Sequence, residues 1–508
     1  MAGELVLGID IGSTTSKAAL VSLEGRTVAL EEVAHEISRP RPGWAEQDAD
    51  AVWWADVVTL CRRLLPPAGG GRVVAVGVAT LGPCLVPADG DGWPLRPAIL
   101  YGIDTRASAE IDELDRRLGP TAVLARCGSP LTTQAVGPKL TWLAHHEPEV
   151  LSAARRLFTA SSFLVYRLTG EYVLDHHSAS TWVPMYDVNA NAWIDEWAAE
   201  VFGGSPVPPL PPLLWPQEPA GVVTAEAATA TGLPAGIPVA AGTIDSLAEA
   251  VGAGVRRPGE LLLTYGTTMF LAEIMTEARP DPRLWSPASF VAGSRNLAAG
   301  TATAGALAAW VRDLVGATGF ERLTAEARTV SPGAAGLVML PYFSGERTPL
   351  FDSRARGVIA GLSLSHTRAH LFRAALEAIA FAVRHNLDVM REAGSRPSHF
   401  VSSDAEPKGV LWPQIVSDVT GLEQAVLEAP AVATVGSALL AAAAGGHADL
   451  SADWSGPAET VVPDPEARAA YEAPYRVYRE LYPATRAQQH ELADLAERSG
   501  SPREPRAS

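Results

Sequence analysis

The chain predicts an α/β fold built twice, as two domains of similar design. Its 508 residues exceed what one hydrophobic core organises, and two domains of roughly 200–250 residues follow from that length. A strand, a turn of small residues and a second strand occur at 4–23 and again at 259–275. In each half a helical pattern and a further apolar strand come later in the sequence.

Taken in order, residues 4–11, 15–23 and 26–34 are short apolar or alternating runs, divided by "GST" at 12–14 and by Glu24 and Gly25, and they predict a three-stranded meander. In "DADAVWWADVVTLCRRLL" (48–65), Val52, Ala55, Val58, Thr59 and Arg62 fall on neighbouring turns of a helix that Asp48 or Asp50 could cap. "RVVAVGVAT" (72–80) then reads as a buried strand, giving βββαβ. Pro-rich 203–219 predicts a rigid surface connection within the first domain. "GAGVRRPGEL" (252–261) interrupts the pattern and marks the boundary. Beyond it, "GELLLTYGTTMFLAEIM" (259–275) sets Gly266, Thr267 and Thr268 where Gly12, Ser13 and Thr14 stood. A long helix over 366–394 leads to the strand "HFVSS" (399–403). The expected division is 1–254, 255–490 and a disordered tail at 491–508, with the two domains facing each other across a cleft that holds the site.

Composition narrows the function. An apolar share of 47% with 19% charged residues describes a folded globular protein. A net charge of -17 without a basic stripe argues against nucleic acid or an anionic membrane as partner. Cys61, Cys84 and Cys127 form no CxxC pair, which disfavours a disulfide framework or a thiolate zinc site and fits a reducing compartment. With no secretory start and no apolar run near the ~20 residues of a membrane span, a cytoplasmic location is expected.

Asp10 ends the first apolar run and is followed at once by small hydroxyl residues in "GIDIGSTTSKAAL" (8–20). A plain hairpin needs only the glycine. Surplus hydrogen-bond donors beside a carboxylate suit a polyanion that arrives with a metal ion: two such hairpins can line a phosphate chain, and a hard cation such as Mg²⁺ prefers the carboxylate and water oxygens that Asp10 can offer or order. Asp245 is the sole acid between "IPVAAG" and "SLAEAVGAG". It reads as a helix cap or as a carboxylate that receives a proton from a substrate hydroxyl, two roles that are compatible.

These segments together resemble the FGGY family of carbohydrate kinases, in the actin and sugar-kinase superfamily. "GIDIGSTTSKAAL" is similar to its first phosphate motif, "GWAEQD" (43–48) to the segment before its first helix, "LTYGTT" (263–268) to its second phosphate motif and "TIDSLAEAVGAG" to its catalytic-Asp motif. "LPYFSGERTPLFDSRARGVIAGLSLSHTRAHLFRAALEAIAF" (340–381) is similar to its long C-domain signature, and "YRLTGEYVLDHHSAS" (166–180) and "VGSALLAAAAGG" (435–446) also fit.

The resemblance implies two RNase H-like domains with ATP and Mg²⁺ between them, and transfer of the γ-phosphoryl group to a small sugar or polyol. By position it makes Asp245 the general base and Asp10 the metal residue. Gly12, Ser13, Thr14, Thr15 and Lys17 of the first hairpin, and Gly266, Thr267 and Thr268 of the second, become phosphate contacts. Asp404, Ala405 and Lys408 fall on the adenosine motif, where Asp404, Ala405 and Glu406 replace the family's glycines. The acceptor is expected to meet Leu81, Gly82 and Pro83, where xylulose kinases usually carry Met-His-Gly, and Tyr101, Asp104 and Arg106 of "ILYGIDTRA" (99–107). A pentulose such as xylulose is the first reading. Ribulose, gluconate, glycerol or an alditol are the alternatives, as is a non-catalytic relic of the fold. A homodimer is one assembly open to such a chain. The adjacent pairs His145 with His146 and His176 with His177 read as structural or solvated, and His366 and His370, four apart on a helix, lack the Glu beside the first His that a zinc hydrolase would use.

Overall fold

The computed structural model describes residues 3–65, 71–277, 279–403, 411–428 and 431–498. They pack as two compact units: Met1–Pro258 with Ile274–Asn296 and Ala429–Gly456, and Gly259–Glu273 with Leu297–Glu428 and Pro457–Ser508. The first stretch ends within the expected 252–261 boundary segment, but the units are not continuous in sequence, because 274–296 and 429–456 pack with the first.

In the first unit, β1 (Glu4–Ile11), β2 (Thr15–Ser22) and β3 (Thr27–Ala34) form the expected meander. β1 is apolar on both faces because both are covered. Leu5, Leu7, Ile9 and Ile11 enter a core shared with Val57, Leu60, Cys61 and Leu64 of α1 (Ala55–Leu64). On the opposite face Gly8 lies beside Gly77 of β4 (Arg72–Thr80), which runs parallel to β1. The helix Val432–Ala444 rests on these two glycines: a Cβ at Gly8 would stand 1.9 Å from Thr434 O, and one at Gly77 1.9 Å from Ser437 O. Only glycine permits so close an approach.

The sheet continues beyond β4 through Pro238–Ala240 to Pro219–Val222, and the two-residue strand β5 (Thr243–Ile244) also pairs with β4. From β5 the chain turns directly into α2 (Asp245–Gly252). The expected helix at 48–65 comes in two parts, a π-helical turn over Ala49–Trp54 and then α1. Its wider winding lessens the angle between consecutive side chains, so Trp53 and Trp54 both turn inward. Asp48 caps it, accepting from Asp50 N at 2.9 Å and Ala51 N at 2.8 Å. The Pro-rich 203–219 segment contributes Leu213–Leu214, paired in parallel with Leu174–Asp175.

The second unit repeats the plan. β6 (Glu260–Tyr265) and β7 (Met269–Met275) make an antiparallel hairpin, and β8 (His399–Ser403) runs parallel to β6. The sheet order is Arg295–Thr301, β7, β6, β8, Gln424–Leu427, Ala458–Val461. Matched strand for strand with β3, β2, β1, β4, Pro238–Ala240 and Pro219–Val222, it is the same sheet with the last two strands exchanged in chain order. Two helices of this unit matter below, α3 (Gly305–Leu314) and α4 (Arg368–Glu392), the latter falling within the expected 366–394. Among the described residues, no helix is long and apolar enough to cross a membrane.

Candidate active site

The parallel strands of the first unit bring its candidate residues to one edge. Asp10 and Thr243 both stand beside Ala79 of β4, so they are two strand spacings, about 10 Å, apart on one face of the sheet. The next residues after β4 are Leu81, Gly82 and Pro83, and Leu81 N is tied to Ile11 O at 2.6 Å. The first hairpin, the segment after β4 and Asp245 therefore all leave the carboxyl ends of neighbouring parallel strands, the edge at which open α/β sheets bind ligands.

Asp245 is the first residue of α2 rather than its cap, and its Oδ1 accepts from Ser246 N at 2.7 Å. Although the residue keeps partial exposure, the carboxyl is shut away from water, which raises its pKa from 3.8 to about 6; the bond from Ser246 N opposes that rise. A carboxylate of that kind can accept a proton near neutrality. Two residues before it, Thr243 Oγ1 donates to buried Asp175 at 3.0 Å, and Asp175 also accepts from Ser178 N at 3.0 Å. Burial raises Asp175 to about 6 as well.

Asp10 faces Lys17 across the hairpin and Lys17 faces Glu32 on β3, so the three lie in line on one face. At the turn, Gly12 N donates to Thr15 O at 3.0 Å. Thr14 is exposed, Ser13 and Thr15 are partly so, and Ser13 Oγ meets Tyr101 Oη at 2.8 Å. In the second unit Gly266, Thr267 and Thr268 form the turn between β6 and β7, with Thr267 exposed. Hydroxyls and backbone N–H groups on a tight turn suit phosphate oxygens, and the carboxylate of Asp10 suits a hydrated hard cation. Among the described residues, no cluster of three His, Cys, Asp or Glu side chains could enclose a metal ion. Asp404, Ala405 and Lys408 lie outside the described residues.

The expected acceptor contacts divide. Gly82 is partly exposed and Tyr101 stands over it, 3.6 Å from where a Cβ would project. Leu81 points into the core of the unit and Pro83 is buried. Asp104 and Arg106, expected as acceptor contacts, have wholly buried side chains bound to one another, Arg106 Nη2 to Asp104 Oδ2 at 2.7 Å and Nε to Oδ1 at 2.9 Å. Asp104 also accepts from Ala45 N at 2.7 Å. Arg106 lies 3.8 Å above the Trp44 ring and pairs with Glu46 at 2.8 Å, and Glu46 in turn binds Arg96. The pair therefore fastens the 99–107 segment, and with it Tyr101, to "GWAEQD". Buried Lys139, donating to Thr133 O at 2.6 Å and Ala135 O at 3.0 Å, lies close by. Desolvation lowers it to about 8, against the pull of Asp104.

Sequence reasoning passed over Glu46, Asp175 and His35. Glu46 and Asp175 sit inside segments whose family likeness was evident, but nothing local distinguishes them from solvated acids. His35 follows an exposed alternating strand and carries no local signal at all.

Two family models match the chain: the N-terminal domain of the FGGY family of carbohydrate kinases over residues 5–252 and its C-terminal domain over 261–445. The chain is 28% identical to a xylulose kinase of Escherichia coli (strain K12), covering 94% of this chain and 98% of that one. It is 32% identical to a glycerol kinase of Nocardia farcinica over 76% of this chain and 78% of that one. The crystal structure of a xylulose kinase from Rhodospirillum rubrum superposes with a TM-score of 0.86 at 35% identity, covering 96% of this chain and all of that one.

Proposed function

As the chain belongs to the FGGY family of carbohydrate kinases, we propose that it transfers the γ-phosphoryl group of ATP to a hydroxyl of a pentulose such as xylulose. The observation that carries this reading is Asp245: a partly exposed residue whose carboxyl has its pKa raised to about 6, at the same sheet edge as Asp10 and the first hairpin. One of its oxygens is held by Ser246 N, which leaves the other to take the acceptor's proton as the oxygen attacks phosphorus. Asp10 would hold Mg²⁺, which when bound neutralises phosphate charge. Thr14, Thr15, Lys17 and the backbone of Gly12 and Ser13 would contact phosphate, as would Gly266, Thr267 and Thr268 in the second unit.

The acceptor is read from Gly82 and Tyr101, whose positions at the edge leave them accessible. Asp104 and Arg106 act through Tyr101 by fixing its segment. The pentulose preference is supported by relatives named xylulose kinases that match nearly the whole chain, one of them a solved structure at 35% identity. The domain division at 254/255, the adenosine role of Asp404, Ala405 and Lys408, and the cytoplasmic location belong to the same reading.

The test is ADP release coupled to a reporter, measured over D-xylulose, D-ribulose, gluconate, glycerol and alditols. The highest kcat/KM is expected with D-xylulose. A preference for glycerol or gluconate would overturn the pentulose reading and leave the kinase, while no turnover with any acceptor, joined to no ATP binding by calorimetry, would mark a relic.

A further inference from the structure

In the first hairpin, three successive carbonyl oxygens are each occupied from behind. Gly12 O lies 3.1 Å from His35 Nε2, Ser13 O accepts from Gln47 Nε2 at 2.9 Å, and Thr14 O accepts from His35 N at 2.9 Å. Since a carbonyl oxygen only accepts, Nε2 is the nitrogen that carries a proton in the Gly12 contact.

The two side chains are themselves fixed. His35 Nδ1 closes on Asp56 Oδ2 at 2.8 Å, and the same oxygen accepts from Ser16 Oγ at 2.7 Å. Gln47 Oε1 accepts from the buried Trp53 Nε1 at 2.9 Å, and its Nε2 reaches Glu36 O at 3.3 Å as well. The His35 side chain is 6% exposed and Gln47 as a whole residue is 2% exposed. Neither is placed to touch a ligand.

A trans peptide is planar, with its N–H directed opposite its C=O. Drawing the Gly12 and Ser13 carbonyls inward therefore turns the Ser13 and Thr14 N–H groups outward, to the side where Thr14 is exposed. The second hairpin reaches the same result by other means. Gly266 O accepts from Gly305 N at 3.0 Å, and Thr267 O accepts from Ala304 N at 3.0 Å and Ala306 N at 3.2 Å, all at the start of α3. By the same planarity the Thr267 and Thr268 N–H groups face outward. Two hairpins with unrelated supports share one consequence, which is backbone acceptors withdrawn and backbone donors presented. A run of outward N–H groups without competing carbonyls selects an anion.

We infer that His35 and Gln47 are positioning residues for nucleotide phosphate, acting through the backbone of Gly12 and Ser13. The inference rests on the kinase reading above and deepens it. It also gives "GWAEQD" a physical content: Trp44 and Glu46 hold Arg106 and the Tyr101 segment, while Gln47, the next residue, holds the phosphate hairpin.

Calorimetry with MgADP tests it on the full chain. Gln47→Glu keeps the acceptor for Trp53 Nε1 but sets an oxygen in place of the amide donor, against Ser13 O. His35→Leu removes the donor to Gly12 O, and His35→Gln retains an amide that can reach it. Gln47→Glu and His35→Leu are each expected to weaken MgADP by about tenfold or more, the scale of one lost backbone anchor, with His35→Gln close to wild type. In turnover the loss should fall on KM for ATP more than on kcat. The unfolding midpoint of each variant without ligand separates a positioning effect from a loss of fold. Wild-type affinity in both Gln47→Glu and His35→Leu, or a His35→Gln no better than His35→Leu with midpoints unchanged, would overturn the inference. A wild-type chain that binds no MgADP would remove the nucleotide reading, and this inference with it; weakened variants beside a tight wild type uphold both.

Discussion

Thr243 Oγ1 donates to the fully buried Asp175 Oδ2 at 3.0 Å, two residues before Asp245. Asp175 is anchored by Ser178 N from its own turn, so the bond links the Asp245 strand to a separate part of the unit. Thr243→Val keeps the shape and deletes the donor. Expected is a loss of about 1–2 kcal/mol in stability, the cost of leaving a buried acceptor short of a partner. A fall in kcat of about tenfold should accompany it as the start of α2 loosens, with KM for the acceptor little changed. Steady-state kinetics beside urea denaturation measure both.

Asp245→Asn should lower turnover by about a thousandfold, within the usual reach of a general base, while circular dichroism stays that of the wild type. The wild-type pH profile follows from the same group. Its pKa rises from 3.8 to about 6 on folding, so the competent carboxylate predominates above pH 6 and kcat/KM should fall as pH drops through that value. Stability runs the other way: the folded state holds this proton more tightly than the unfolded chain, so the contribution is present below pH 4 and is lost between about 4 and 6. A flat kcat/KM between pH 5 and 8 would remove Asp245 from the role.

Glu46→Gln should destabilise the first unit by about 3 kcal/mol, because it leaves Arg106 and Arg96 short of a negative partner in a buried cluster. Glu46 pairs with both arginines, and Arg106 is enclosed between Asp104 and the Trp44 ring. Chemical denaturation gives the stability. An increase in KM for the acceptor is expected as Tyr101 loses its support, with MgADP affinity close to wild type.

Most of this fold was legible because its cause is local. An apolar run, a turn of Gly, Ser and Thr and a second run fold as a hairpin wherever they occur, and their recurrence announced the second sheet. Asp10 and Asp245 stood out as lone acids among apolar neighbours, where a carboxylate needs a reason. The roles of Asp104 and Arg106 were not legible, since they depend on Glu46 and Trp44, which lie roughly sixty residues away in sequence. His35 was hidden for the same reason: its partner carbonyl belongs to Gly12, and only the β2–β3 register brings the two together. The Leu81 position showed which segment leaves β4 but not that its side chain turns to the core.

Glu346, in "SGERTP", supplies a test confined to the second unit. Its Oε1 accepts from Ala302 N at 2.9 Å and Arg347 N at 2.7 Å, and its backbone exchanges two 2.9 Å bonds with Asp352. Burial raises its pKa from 4.5 to about 8, with the two backbone N–H groups and the Arg347 charge opposing the rise. The folded chain therefore carries this carboxyl protonated at neutral pH, whereas the unfolded chain releases the proton above about 4.5. Stability from this group is complete below that pH and drains away as pH climbs towards 8. Glu346→Gln keeps an uncharged acceptor for both backbone donors and removes the titration. Against wild type, the variant should gain about 2 kcal/mol in relative stability between pH 6 and pH 8, the equivalent of one proton over that interval. Urea denaturation of both proteins at the two pH values measures it, and parallel changes in the two would show that Glu346 is already ionised in the fold.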